Sequence, residues 1–221
     1  MPRNSSSKFF FDDRIDAANQ LIDDMPIKSL KDQSVTVIAI SDGAVVIADR
    51  VARALDAPMD VLLSDAVYAP NNPELFIAMV SETQTMVMNR VLVDAFEISV
   101  DYVYSEAQRC YEDRVLSHVY RYRHGEPICS VEERVVILVD ECVETGITTM
   151  MAIKSMIEQG ATNVYIAVPI LDASVYDNLV PACDGVFCPH TIRDYISIEY
   201  YYTNLEKPIF EEIERILNTH E

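Results

Sequence analysis

The sequence predicts a doubly wound α/β domain: a mostly parallel sheet with helices on both faces, plus a small helical and hairpin excursion. Three observations carry this expectation. Residues 35–40 and 135–139 are continuous apolar runs, the pattern of strands covered on both faces in a parallel sheet. A short loop and then an amphipathic helix follow each run. Ala44, Ile47, Ala48, Val51, Ala52 and Leu55 mark the buried stripe of the first helix, and Ala152, Ile153, Met156 and Ile157 that of the second. Further apolar segments at 59–63, 164–170 and 186–188 continue the alternation of strand and helix.

The remaining elements can be placed in order. Asp12 or Asp13 can cap a first helix that runs to Asp24. The stretch 68–73, Tyr-Ala-Pro-Asn-Asn-Pro, excludes regular helix or central strand. Residues 76–81 and 86–88 fit a short hairpin. Ser99 can cap a long helix through Tyr122, ended by Gly125 and Pro127. Gly160 can supply the left-handed stop after the second amphipathic helix. Residues 205–218 read as a last helix, just after the aromatic run Tyr200-Tyr201-Tyr202. The chain reads as one domain, 1–221, with a flexible or hood-like insertion around 65–130.

Composition narrows the function classes. The chain has 221 residues, half of them hydrophobic, and a formal net charge of -19. So acidic a surface repels nucleic-acid backbones and anionic membranes, and it also keeps a protein dispersed. No run reaches the ~20 apolar residues of a membrane span, and residues 1–13 lack an apolar stretch of leader length. The five cysteines are odd in number and show no CxxC spacing, which points to a reducing, cytoplasmic setting. Cys183, Cys188 and His190 lie close together but do not match a known zinc spacing, and buried free thiols account for them. Neither a Gly-rich dinucleotide fingerprint nor a GxxxxGK[ST] loop is present.

The loop after the second apolar run, Asp140-Glu-Cys-Val-Glu144-Thr-Gly-Ile-Thr148, carries the chemistry. Two adjacent carboxylates at a strand end can accept hydrogen bonds from the two hydroxyls of a ribose. The turn after them exposes backbone N–H groups ahead of a helix, and the helix dipole favours an anion there. Thr145 and Thr148 add hydroxyl donors, and Gly146 and Ile147 complete the candidate phosphate cradle. The same residues also fit a simpler account, in which Thr148 or Thr149 only caps a helix. The loop after the first run, Ser41-Asp42-Gly43-Ala44, is the second candidate, because ligands of doubly wound sheets bind beyond the carboxyl ends of the strands.

Residues 136–148 resemble the phosphoribosyl-pyrophosphate motif of type I phosphoribosyltransferases. Phe11-Asp12-Asp13-Arg14-Ile-Asp-Ala17, Asp42-Gly43-Ala44 with Ala48 and Val51-Ala52, Pro70-Asn71-Asn72-Pro73-Glu74, the Val168-Pro169 strand end and the late Tyr-rich segment are similar to a bacterial family of predicted phosphoribosyltransferases. The likeness therefore runs through most of the chain in one order. It implies that the chain takes Mg²⁺-phosphoribosyl pyrophosphate or a nucleoside monophosphate. Asp140 and Glu141 would hold the ribose hydroxyls, 144–148 the 5-phosphate and Ser41 to Ala44 the pyrophosphate. It also implies a homodimer. Glu144 falls where purine-using relatives carry an acid near the base, and it equally suits the first turn of a helix.

Two departures stand out. Relatives usually carry a basic residue before the first loop's glycine and an Arg-Lys pair after the second strand. Here Ser41 and Asp42, and Ser64 and Asp65, occupy those places. Arg90, Arg109, Arg114, Arg121 and Arg123 are candidates for replacement charge, though all also suit a solvated helix face. Two readings thus stay open: a transferase that passes ribose 5-phosphate to a purine-like base, and a catalytically silent module that senses a nucleotide or ribose phosphate. Metal ligands are not identifiable from the sequence.

Overall fold

The computed structural model describes residues 10–220, so most of the segment read for a leader, 1–13, lies outside the described residues. Helices α1 (Arg14–Asp24) and α2 (Ile27–Lys31) lead into strand β1 (Val35–Ala39), and helix α3 (Ala44–Leu55) returns to β2 (Met59–Val61). Strands β3 (Ser64–Ala69), β4 (Asn72–Ser81) and β5 (Met86–Met88) follow. Next come α4 (Arg90–Ala95), α5 (Val100–Cys110) and α6 (Leu116–Arg123), the last two joined by a π-helical turn (Tyr111–Val115). The second half runs β6 (Val135–Val139), α7 (Ile147–Glu158), β7 (Asn163–Ala167), β8 (Ile170–Asp172), α8 (Ala173–Leu179), β9 (Gly185–Phe187), β10 (His190–Ile192) and α9 (Phe210–Leu217).

The main sheet has the order β2-β1-β6-β7-β9, and every pairing in it is parallel. All five residues of β1 and all five of β6 are buried. Val37 and Ala39 of β1, with Ile137 and Val139 of β6, pack on the face covered by α1, α3 and α9. Ile38, Val136 and Leu138 pack on the other face, against Met151, Ala152 and Met156 of α7 and Leu179 of α8. Burial on both faces is why these strands read as unbroken apolar runs. Each large aliphatic side chain fully removed from water there contributes roughly 1.5–3 kcal/mol.

Residues 64–123 build a second layer. Strands β3, β4 and β5 form an antiparallel sheet, and α5 packs on it around Val67, Ile77, Val80, Val103 and Ala107. Three ion pairs brace this layer, one of them across to the main sheet. Arg123 at the end of α6 reaches Asp60 of β2 at 3.1 Å and also pairs with Glu82 just after β4. Arg114 pairs with Asp65 at 2.8 Å. A third small core joins the N-terminal segment to the Tyr-rich one: Phe11, Ala17, Ile170, Tyr201 and Tyr202.

Several elements follow the sequence expectation. Asp13 caps α1, accepting from the amides of Ile15 and Asp16. Ser99 caps α5 through the amide of Tyr102 at 3.1 Å. Gly160 is left-handed, with φ 86°. Others differ. Strand β2 ends at Val61: the Leu62 amide makes a last bond to the Ala39 carbonyl of β1 at 2.8 Å, and the chain then turns into β3. The apolar run at 164–170 splits at Val168-Pro169, and Ile170 pairs with β10 instead of extending β7. Strands β3 and β4 reach into the Pro-rich stretch 68–73. Asn71 turns the tip at φ 67°, and register shifts around Tyr68 accommodate the missing amide of Pro73. The last helix starts at Phe210, not near 205, since residues 203–209 form no regular element and include Pro208, which disfavours helix in the residue before it.

Candidate functional site

Strands β1 and β6 are neighbours in register, so the loops that follow them emerge side by side. The amide of Ile40 still donates to Val139 at 3.0 Å. One residue later the Ser41 hydroxyl donates to Asp140 Oδ1 at 2.6 Å, while its oxygen accepts from the Ala44 amide at 3.2 Å. A cavity of about 480 Å³ opens over this junction, a size that suits a small phosphorylated ligand. Ser41, Asp42 and Gly43 form one wall with Glu141 and Thr148. Leu63, Ser64 and Met79 form the next. His118, Arg121 and Tyr122 of α6, with Lys207, Pro208 and Arg14, close the rim.

The two adjacent acids have different environments. Asp140 Oδ1 accepts from Ser41 and from the Glu141 amide at 2.8 Å. Burial pushes its pKa from the ordinary 3.8 up to about 7 against the pull of those two donors. Glu141 Oε1 accepts from Arg14 Nε at 2.7 Å and lies 2.6 Å from Arg14 Nη2. Burial still raises the Glu141 pKa, by more than the Arg14 charge lowers it. Neither Asp140 Oδ2 nor Glu141 Oε2 takes a hydrogen bond among the described residues, and neither is a buried orphan. Each carboxylate thus commits one oxygen to the protein and leaves the other without a hydrogen bond, and of the two residues Glu141 lines the cavity while Asp140 lies behind its wall.

Gly43 allows this arrangement. A Cβ built on it would sit 1.7 Å from Glu141 Oε2, so the glycine is there for close approach and not for an unusual φ, which is -67°. Gly146 has the opposite reason: its φ is +74°, a conformation costly for residues with a side chain. Its neighbours are Val175 and Leu179 of α8.

The second loop is anchored on β8. Val143 donates to Ile170 at 3.0 Å, and Asp172 donates back to Val143 at 2.9 Å. Helix α7 then begins at Ile147 with Gly146 at the N-cap and no side-chain capping bond. Its first amides are therefore not engaged by Thr148 or Thr149, and the simple capping account fails. Of the candidate cradle, Thr148 lines the cavity. Ile147 is buried in the core, and Glu144 and Thr145 are exposed outside the cavity wall. Ala44 is buried at the start of α3.

The candidate cations sort clearly. Arg123 and Arg114 are committed to Asp60, Glu82 and Asp65, and Arg109 pairs with Glu106 on its own helix. Arg90 is exposed at the start of α4, outside the cavity wall. Arg121 alone of the five faces the cavity, with its guanidinium 4.2 Å from the centre of the Phe210 ring. Asp65 is neutralised by Arg114. Asp42 is steadied by the Tyr122 hydroxyl, which donates to it at 3.3 Å. Arg14, His118 and Lys207 line the cavity but are not among the site residues that the sequence singled out. For Arg14 a signal existed: it shares the buried stripe of α1 with Ala17, Ala18 and Leu21, and a cation on an apolar stripe calls for a partner. Lys207 sits in the irregular segment 203–209 and had no local signal.

Tyr201 and Tyr202 are buried, and the Tyr202 hydroxyl donates to the Glu141 carbonyl at 3.4 Å. This part of the Tyr-rich segment packs behind the acids instead of stacking over the cavity. The Cys188 thiol bonds the His190 carbonyl at 3.4 Å, and the His190 ring stacks on Phe10. Among the described residues no group of three His, Cys, Asp or Glu side chains could hold a metal ion. No helix among them is long and apolar enough to cross a membrane.

A parallel sheet with paired acids at a strand end, beside an uncapped helix start, defines a type I phosphoribosyltransferase domain. The chain belongs to that family: the model of the phosphoribosyl transferase domain matches residues 8–202. Two curated Mycobacterium tuberculosis proteins, from strains H37Rv and CDC 1551 and each named "Putative phosphoribosyl transferase", are 27% identical over 208 residues. The match covers 94% of this chain but 46% of theirs, so the chain spans about half the length of the curated relatives it matches. The crystal structure of TT1426 from Thermus thermophilus superposes with a TM-score of 0.79 at 28% identity, covering 95% of this chain and 98% of that one.

Proposed function

We propose that this chain is a phosphoribosyltransferase that moves ribose 5-phosphate from phosphoribosyl pyrophosphate to a nitrogen base of purine type. One observation carries the reading: Asp140 and Glu141, consecutive at the end of β6, each keep one carboxylate oxygen free of hydrogen bonds among the described residues, and two acceptors are the number a ribose diol needs. Thr148 and the uncapped start of α7 serve the 5-phosphate. The loop 41–44 and the rim cations Arg121 and Lys207 serve the diphosphate. Although the whole chain carries -19, the cavity wall holds three permanent cations, Arg14, Arg121 and Lys207, against two carboxylates, Asp42 and Glu141.

In the reaction the C1–O bond to diphosphate breaks with its electron pair leaving on the diphosphate oxygen. The base nitrogen attacks C1, and its proton passes to a base. We assign that role to Glu144, which is exposed on the same loop but outside the cavity wall, so the incoming base would have to extend beyond that wall to meet it. The cations on the rim stabilise charge that grows on the departing diphosphate. Asp42, a carboxylate of the cavity wall, is the residue that would help hold a Mg²⁺ ion beside the diphosphate. Bound there, the ion would neutralise the leaving group.

A second reading, a ribose-phosphate sensor, is favoured by the acid and hydroxyls of Ser41, Asp42 and Ser64 in the cavity wall. Dissociation constants for ribose 5-phosphate and phosphoribosyl pyrophosphate across a Mg²⁺ titration separate the two. A transferase binds the pyrophosphorylated sugar more tightly once Mg²⁺ is present. If that sugar never binds more tightly at any Mg²⁺ level, the transferase reading falls and the sensor stands.

A further inference from the structure

We propose that Arg14 is a positioning residue for Glu141: its guanidinium fork holds one carboxylate oxygen so that the other points at a ribose hydroxyl. This rests on the assignment of the acid pair to ribose made above. Arg14 is 8% exposed and stands at a core position of α1. Two of its nitrogens meet Glu141 Oε1 at 2.7 and 2.6 Å, and its third, Nη1, donates to the Glu206 carbonyl. Every arm of the fork is therefore used, and a planar fork held at three points has no rotational freedom left.

The carboxylate it grips is equally constrained. Glu141 Oε2 is pressed over Gly43, where only the missing Cβ leaves room. Arg14 on one side and Gly43 on the other thus define the direction of the free oxygen. No other cation among the described residues is within ion-pair distance of Glu141. The further groups that act on it are Lys207, which favours its charge, and Glu199, which opposes it. Arg14 also connects the acid to the irregular segment that carries Lys207, through Glu206. The positioning role therefore joins the two ends of the chain at the ribose.

A merely structural tie between α1 and the C-terminal segment would make a different prediction, and ligands with one hydroxyl removed tell the two apart. Calorimetry would compare ribose 5-phosphate, 2-deoxyribose 5-phosphate and 3-deoxyribose 5-phosphate on the full chain. Arg14→Ala should weaken ribose 5-phosphate about tenfold, the worth of one charge-assisted hydrogen bond. It should leave affinity for one of the two deoxy sugars, the one lacking the hydroxyl read by Glu141, within about twofold. Glu141→Gln should show the same pattern, and the double variant should lose little more than either single one. Arg14→Lys keeps the charge without the fork. It should lie in between and serves if the alanine variant does not fold. Equal losses for all three sugars in Arg14→Ala, or wild-type selectivity in Arg14→Lys, would overturn the proposal. A wild-type chain that binds none of the three removes the ribose reading itself, and one that binds all three alike removes the hydroxyl contact of Glu141 and this proposal with it.

Discussion

Ser41 and Asp140 lie 99 positions apart, yet the serine hydroxyl donates to the aspartate at 2.6 Å, tying the two loops of the site into one unit. Asp140 has its pKa raised to about 7 by burial. Between about pH 4 and pH 7 the native chain holds a proton that the unfolded chain has released, so the native state binds more protons and stability falls as pH rises. The contribution is fully present below the unfolded value of 3.8. Urea midpoints at pH 5 and pH 8 should show this fall in the wild type and a shallower one in Asp140→Asn. Ribose hydroxyls donate to the ionised form, so ribose 5-phosphate should bind more tightly as pH rises through 7. A flat binding profile in the wild type would count against Asp140 as an acceptor.

Gly43→Ala should damage both binding and folding. The added Cβ meets Glu141 Oε2 at 1.7 Å, although the backbone φ of -67° itself suits alanine. Glu141 must swing away from Arg14, which should cost about 1–3 kcal/mol in ribose 5-phosphate affinity and lower the melting temperature, because a largely buried ion pair is broken. Calorimetry beside a thermal melt checks both halves of this expectation.

Thr148→Val should weaken nucleoside monophosphate binding by about 1–3 kcal/mol, the scale of a lost polar contact in a closed site. The N-terminus of α7 has no side-chain cap to lose, so stability should change little. Unchanged affinity would remove Thr148 from the phosphate cradle.

The two arginines near the end of α6 should behave in opposite ways. The Arg123 side chain, 11% exposed, is enclosed with Asp60 and Glu82. Arg123→Ala leaves two carboxylates unpaired and should cost about 3–5 kcal/mol of stability by urea denaturation. Arg121 is exposed over Phe210 at the cavity rim. Arg121→Ala should leave the urea midpoint nearly unchanged, weaken phosphoribosyl pyrophosphate, and reduce the salt dependence of its binding. Equal losses for ribose 5-phosphate and the pyrophosphorylated sugar would place Arg121 outside the diphosphate contact.

The unbroken apolar runs of β1 and β6, the amphipathic stripes of α3 and α7, and the acids and glycines between them were legible in the sequence by itself. Each is a local pattern: burial on both faces removes alternation, and a tight turn into a helix demands particular residues over a few positions. The resemblance through most of the chain gave the family. Only the tertiary structure decided which cations face the cavity. Arg114, Arg121 and Arg123 are indistinguishable as letters on one long helix, yet packing of that helix on β2, β3 and α9 sends one to Asp65, one to the rim and one to Asp60 and Glu82. It also decided that Glu141 belongs to Arg14, 127 positions away. An ion pair of that separation leaves no periodic trace, because it depends on where α1 and the 203–209 segment dock, and docking is set by the sum of many core contacts, not by any local motif.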